Sequence, residues 1–244
     1  MTEKVAVVGA TGRMGTLASR IIDDTDGFEL VAQLGSSDDL DGILGADIVI
    51  DFTVPHVSPR VVEHAVSNNI PAVVGTSGWS AERIADLERT VAAHPELGVI
   101  IVPNFSLGSV LATAFAAKAA RFYESIEIIE AHHESKIDSP SGTAVRTAEL
   151  IGQARADAGP VIAPHADQRA RGQQVSSVPI HSLRMQGVVA KQQVLLGGTG
   201  ELLTITHDTL SQSAYEAGIK LALARVKDLR GVVVGLDALM DLDA

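Results

Sequence analysis

Val5-Ala6-Val7-Val8-Gly9-Ala10-Thr11-Gly12-Arg13-Met14-Gly15 sets the architecture of this chain. Its four leading apolar residues read as a strand buried on both faces, and the glycines after them read as a tight turn. Met14, Leu17, Ala18, Ile21 and Ile22 then recur at spacings of three and four, giving the following helix one apolar face. Strand, glycine loop and helix in that order form the setting in which backbone N–H groups approach a pyrophosphate. A side chain at Gly9 or Gly12 would block that approach. The spacing is G-x-x-G-x-x-G, looser than G-x-G-x-x-G, so the motif by itself also suits a turn with no ligand.

Outward from this stretch the alternation continues to about residue 104. Apolar runs at Glu29 to Leu34, Asp47 to Phe52, Pro71 to Val74 and Val99 to Val102 are separated by further helical periods, as in a parallel sheet covered by helices. Ser80 reads as the N-cap of one of those helices. Past Asn104 the pattern changes. An alanine-rich helix from Leu107 to about Arg121 leads into a strand, Ser125 to His132, then a polar loop and another helix. Val188 to Leu196 and Glu201 to His207 flank Gly197-Gly198-Thr199-Gly200 and read as an antiparallel pair. The stretch from Gly159 to Pro179 reads as a long loop, Ser213 to about Arg230 as a helix, and Val232 to Leu236 as a strand returning to the first domain. The expected fold is therefore α/β. A Rossmann-like dinucleotide-binding domain (1–104 and 213–244) carries a smaller α+β domain with an open mixed sheet (105–212).

Composition narrows the function. With no cysteine, thiolate zinc sites, disulfides and cysteine nucleophiles are excluded, and a reducing compartment is suited. A formal net charge of −11 argues against broad nucleic-acid or anionic-membrane binding, so any anion needs a locally basic site. No apolar run reaches the roughly 18 residues of a membrane span, and the first residues lack the features of a signal peptide, so a cytoplasmic location is expected.

The chemistry concentrates in Glu130-Ala131-His132-His133-Glu134-Ser135-Lys136-Ile137-Asp138-Ser139-Pro140-Ser141-Gly142-Thr143-Ala144. Ser141 or Gly142 caps a helix, so the N–H groups of Gly142 and Thr143 suit a carboxylate, and Lys136 on the same loop can add a positive charge. Imidazole titrates near neutrality, which makes a histidine here a fit general acid. On an ideal strand His132 and His133 point to opposite faces, so either the strand ends there or the two have different jobs. Adjacent histidines that diverge, with no third spaced ligand, argue against a metal. The loops Phe52 to His56 and Gly75-Thr76-Ser77-Gly78 lie where parallel strands end, beside the expected nicotinamide. At the end of the second strand, Gln33-Leu34-Gly35-Ser36-Ser37 offers no carboxylate before Asp38, which leaves the choice between NADH and NADPH open.

The segment E-x-H-H-x-x-K-x-D-x-P-S-G-T-A, the glycine loop, Gly75 to Gly78, Val102 to Ser106 and Gly197 to Glu201 together resemble the 4-hydroxy-tetrahydrodipicolinate reductase family, over the whole chain. The resemblance implies reduction of a cyclic dicarboxylate by NADH or NADPH in diaminopimelate and lysine biosynthesis. It implies His132 as catalytic acid or proton relay, Lys136 as second proton donor and carboxylate partner, and His133, Ser141, Gly142 and Thr143 as substrate contacts. It places Gly9, Ala10, Thr11, Gly12, Arg13, Met14, Gly75, Thr76, Ser77, Val102, Pro103, Asn104 and Phe105 around the cofactor, and it implies a homotetramer built through the second-domain sheet. Gln33 departs from the acidic ribose partner of many members. A different two-domain nicotinamide oxidoreductase, or a dinucleotide-binding redox sensor, are the competing readings; a sensor would not need His132, Lys136 and a helix start converging on one anion.

Overall fold

The computed structural model describes residues 2–242. The chain forms two compact units, one holding everything up to Phe105 together with the segment from Tyr215 onward, the other Ser106–Ala214.

The first unit is built on a six-stranded parallel sheet. Its strands are β1 (Glu3–Val8), β2 (Phe28–Leu34), β3 (Ile48–Asp51), β4 (Ala72–Val74), β5 (Gly98–Ile101) and, from the end of the chain, β11 (Gly231–Val234), in the order β11-β5-β4-β3-β1-β2. Every residue of β3, β4 and β5 is buried, as expected of strands covered on both faces. On the edge strand β2, partly buried and exposed residues alternate up to the buried Leu34. Helices α1 (Arg13–Asp23), α2 (Ser58–Ser67) and α3 (Ala81–Val91) bury the residues that their periodicity selects: Leu17, Ala18, Ile21 and Ile22 on α1; Val61, Val62, Ala65 and Val66 on α2; Leu87 and Val91 on α3. The strand order reverses direction between β1 and β3, and ligands of open α/β sheets bind at the carboxyl ends of strands at such a point.

The second unit is a five-stranded mixed sheet in which β10 (Glu201–Thr209), β9 (Ala190–Gly198), β6 (Ser125–His132), β8 (Val178–Arg184) and β7 (Gln173–Val175) lie in that order, backed by α4 (Leu107–Ala120) and α5 (Gly142–Ala154). The central strand β6 pairs antiparallel with β9 and parallel with β8. Side chains two apart share a face, and register puts Ile126 and Ile128 of β6 in line with Leu196 and Val194 of β9, with Ile180 of β8 also opposite Ile128. These residues pack on Ala116 and Ala120 of α4 and on Ala144, Ala148 and Ile151 of α5. Two residues further along the same face the core turns polar: Glu130 lies between Gln192 and Ser182, and His132 between Ala190 and Arg184.

Three expectations need correction. The long loop from Gly159 to Pro179 contains strand β7 (Gln173–Val175), which forms a hairpin with β8 across Ser176 and Ser177. Both serines take left-handed backbone angles (φ 47° and 66°), a turn that asparagine or glycine would have announced and serine does not. Pro179 sits inside β8, but the ladder with β6 begins at Ile180, so its missing N–H breaks no bond there. The glycine turn of the second hairpin is shorter than expected: Gly197 and Gly198 belong to β9, and β10 (Glu201–Thr209) starts after Thr199 and Gly200. The helix expected from Ser213 to Arg230 is α6 (Glu216–Arg225) with short 3-10 turns on either side.

Candidate active site

In the first unit the sequence builds a loop cluster at the carboxyl ends of the strands. Gly9 has φ +83°, and a Cβ there would lie 2.4 Å from the carbonyl oxygen of Phe52, so the β1 loop and the β3 loop touch only because this residue is glycine. Gly9 and Ala10 both donate their N–H to the carbonyl of Leu34, which ties the loop to the end of β2. The N-cap of α1 is Gly12, which supplies no side-chain cap, whereas Ser80, Ser106 and Ser141 cap α3, α4 and α5. Gly75 is held between two aromatic rings: a Cβ there would lie 2.2 Å from Phe52 and 2.8 Å from Phe105, whose ring centroids are 5.5 Å apart. The Phe52 loop, the Gly75-Thr76-Ser77 loop and the Val102 to Phe105 segment are thus gathered in one place. Asn104 makes contacts of its own, and Pro103 is exposed.

The link between the Phe52 and Gly75 loops is Asp51, a residue with no expected role in the sequence. Asp51, fully buried at the end of β3, accepts the N–H of Thr53 at 2.9 Å, its hydroxyl at 2.6 Å and the hydroxyl of Ser58. The Asp51 carbonyl accepts from Gly75 N–H at 2.9 Å. Its only trace in the sequence is an acidic residue closing an apolar run.

At the end of β2, Asp38 turns back to accept the N–H of Gly35 at 2.7 Å. Gln33, Ser36, Ser37 and Arg13 are exposed.

In the second unit β6 ends at His132, and the next residues turn away. His132 Nδ1 lies 2.6 Å from a carboxylate oxygen of Glu130, which is fully buried. Arg184 donates to both Glu130 oxygens at 3.0 Å, and the N–H of Ser141 donates to one of them at 3.2 Å. Burial by itself raises the Glu130 carboxyl, but the hydrogen bonds from His132 and Arg184 outweigh it and hold the pKa at about 2, against an ordinary 4.5. Ser141 caps α5, its hydroxyl accepting from Ala144 N–H at 3.2 Å, and a Cβ on Gly142 would meet nothing within 4 Å. The helix therefore begins with an open approach at Gly142. Thr143 is partly buried and has a partner of its own.

Lys136 is paired with Asp138 at 2.8 Å, an ion pair that holds the Asp138 carboxyl below its usual range. His133 faces Ser135, its Nδ1 2.7 Å from the hydroxyl, and so takes a different environment from His132. The loop that bears Lys136 is tied down by Arg184, which donates to the carbonyl of Asp138 at 2.6 Å. Arg184 lies 54 residues from Glu130 along the chain, and only the β6–β8 register brings it in. Among the described residues, no three His, Asp or Glu side chains cluster as a metal site requires.

A parallel sheet with a glycine loop at its switch point, joined to a unit carrying a charged cluster and a serine-capped helix, defines a two-unit protein of the dinucleotide-binding class. Comparison with known proteins is in accord. The family model for the N-terminus of dihydrodipicolinate reductase matches residues 3–105, and that for its C-terminus matches residues 108–240. The chain belongs to the dihydrodipicolinate reductase family. It is 66% identical to the 4-hydroxy-tetrahydrodipicolinate reductase of Clavibacter sepedonicus over 100% of this chain and 88% of that one. With the enzyme of the same name from Streptomyces griseus subsp. griseus, identity is 46% over 98% of each. Among solved structures, a dipicolinate-bound dihydrodipicolinate reductase from Paenisporosarcina sp. TG-14 superimposes with a TM-score of 0.85 at 30% identity, covering 98% of this chain and 99% of that one.

Proposed function

We infer that this chain reduces 4-hydroxy-tetrahydrodipicolinate to tetrahydrodipicolinate with NADH or NADPH, in diaminopimelate and lysine biosynthesis. The observation that carries the reading is the convergence of His132, the open start of α5 at Gly142 and the anchored Lys136 loop on one end of a sheet, in a chain matched through both halves by the family. The first unit suits the dinucleotide: α1 starts at a residue with no side chain, so its first-turn N–H groups are left to a pyrophosphate. Gly9, Ala10, Thr11, Gly12, Arg13 and Met14 would hold it, with Gly75, Thr76, Ser77 and residues 102–105 toward the nicotinamide. When bound, the reduced nicotinamide supplies a hydride.

The protein's own residues do the rest. The α5 start takes one substrate carboxylate through Gly142 and Thr143, and His133 contacts the ring substituents. Lys136 meets the other carboxylate. Its present partner Asp138 is 61% exposed, and such pairs contribute about 1 kcal/mol or less, so a dianionic substrate displaces it readily. Loss of the ring hydroxyl together with a neighbouring ring hydrogen releases water and leaves a C=C bond conjugated to the imine; the hydride adds to that system, and His132 delivers to the ring the proton that balances it. At the β2 end Gln33, Ser36 and Ser37 are exposed and Asp38 turns one oxygen onto the Gly35 N–H, which supports room for NADPH as well as NADH. We also assign the enzyme to the cytoplasm; among the described residues no helix is long and apolar enough to cross a membrane.

The face of the mixed sheet away from α4 and α5 is open. It presents Leu183 (47% exposed) and Leu202 (63% exposed), and the pair Glu127–His181 shares it. That surface supports assembly of a homotetramer through the second unit. Light scattering on the purified protein checks this, and Leu202→Glu should yield smaller species.

The test of function is oxidation of NADH and of NADPH, followed separately, with the substrate made in situ by the preceding synthase from pyruvate and aspartate semialdehyde. Lys136→Ala should lower turnover on the order of 10²-fold while leaving cofactor binding unchanged. Wild-type turnover in that variant would remove the lysine from the mechanism.

A further inference from the structure

We propose that Glu130 is the positioning residue of this site: one buried carboxylate fixes the tautomer of His132 and, through the N–H of Ser141, the start of α5, so that proton donor and carboxylate-binding helix tip are aligned together. The proposal rests on the reading of His132 as the acid.

Glu130 follows Ile126 and Ile128 on the core face of β6, where an apolar residue would complete the cluster. Replacing a buried ion pair by apolar side chains is often neutral or stabilising, so stability alone gives little reason for a charge here. The geometry gives a better one. The ionised carboxylate is an acceptor only, and at 2.6 Å His132 Nδ1 must carry hydrogen to face it. The opposite tautomer would set a lone pair against a negative charge. The exchangeable proton is thereby assigned to Nε2, and the imidazolium form gains a counter-charge. The same carboxylate holds the N–H of the α5 cap residue, and Arg184, gripping both Glu130 oxygens, also holds the carbonyl of Asp138 beside Lys136. A single ionic hub thus holds His132, the start of α5 and the loop that bears Lys136.

The first test needs no variant: ¹⁵N NMR of His132 in the intact protein should show the neutral ring protonated at Nδ1, and an Nε2–H ring would overturn the proposal. Glu130→Gln keeps the shape, but its carboxamide can donate as well as accept, so the Nε2–H form should appear. Its kcat should fall on the order of 10²-fold with unchanged NADPH affinity. In a His132→Ala background the same change should lower kcat no further; an equal loss in both backgrounds, or a kcat for Glu130→Gln within twofold of wild type, would make Glu130 merely structural. If Glu130→Gln does not fold, Glu130→Asp takes its place, with the charge kept but withdrawn by a methylene and kcat still expected to drop. Wild-type turnover in His132→Ala would instead sink the underlying reading of the acid. An inactive His132→Ala beside a fully active Glu130→Gln would sink only the role of Glu130.

Discussion

Asp51 and Glu130 are both fully buried carboxylates near the end of a strand, one in each unit, and they are satisfied in different ways. Asp51 is surrounded by neutral donors, the amide and hydroxyl of Thr53 and the hydroxyl of Ser58, and its work is to pin loops. Glu130 is held chiefly by the Arg184 guanidinium and the His132 ring, with the Ser141 amide and the Ser182 hydroxyl beside them. The difference follows from what each end of each sheet must handle. A pyrophosphate wants backbone N–H groups and no side chains in the way, so the first unit places glycines at the loop and uses its buried carboxylate only to tie loops through neutral donors. The proposed proton transfer wants a titratable ring with a defined proton position, and the second unit carries its side-chain charges on the sheet itself.

The strongest way to break the comparison is to put a side chain into the first unit's loop. Gly9→Val meets the Phe52 carbonyl at 2.4 Å in a backbone region that β-branched residues avoid, at a cost of roughly 3 kcal/mol or more. NADPH binding should be lost, and hydrogen exchange should show protection falling in β1, β3 and their loops while β6 and β9 keep theirs. Wild-type NADPH affinity in this variant would mean that the loop does not need its glycine. A smaller effect tests the ionic side. Because the Glu130 carboxyl titrates at about 2 when folded and near 4.5 when unfolded, the unfolded chain binds the proton first as pH falls. Its contribution is therefore complete above pH 4.5 and is lost progressively down to pH 2. About 1.4 kcal/mol per pH unit between the two values makes this on the order of 3 kcal/mol. Denaturant unfolding across that range should show the loss in the wild type and a correspondingly flatter curve for Glu130→Gln; parallel curves would contradict the assignment.

The same contrast explains what could be read in advance. The first unit was legible because strands buried on both faces write themselves as unbroken apolar runs, and Val5 to Val8, Asp47 to Phe52 and Val99 to Val102 sit within a residue or two of β1, β3 and β5. His132 and Ser141 were legible because a strand end and a serine cap are local signals, and the structure puts β6 and α5 at those residues. Arg184 was not, since its place beside Glu130 depends on the pairing of β6 with β8, a long-range register that no local pattern encodes. Strand β7 was hidden for a related reason: its three residues have no face to alternate, and its turn uses two serines. The Lys136–Asp138 pair shows a further limit, because spacing indicates that a lysine can reach an anion but not which anion it holds at rest.

The finest distinction between the units lies in two helix caps of the same chemistry. Ser80 accepts the N–H of Arg83 at 3.3 Å at the start of α3, and Ser141 accepts that of Ala144 at 3.2 Å at the start of α5. Removing either hydroxyl leaves one first-turn donor without its cap and costs about 1 kcal/mol, so Ser80→Ala and Ser141→Ala should shift the unfolding midpoint comparably. Only Ser141 also donates its backbone N–H to Glu130 and stands immediately before Gly142, so only there does the loosened turn belong to the proposed substrate site. Steady-state assays should give Ser141→Ala a several-fold higher KM for the dicarboxylate at nearly unchanged KM for NADPH, and Ser80→Ala neither change. Equal kinetics in the two variants would mean that the α5 start acts as an ordinary helix end, and the carboxylate would have to be held elsewhere.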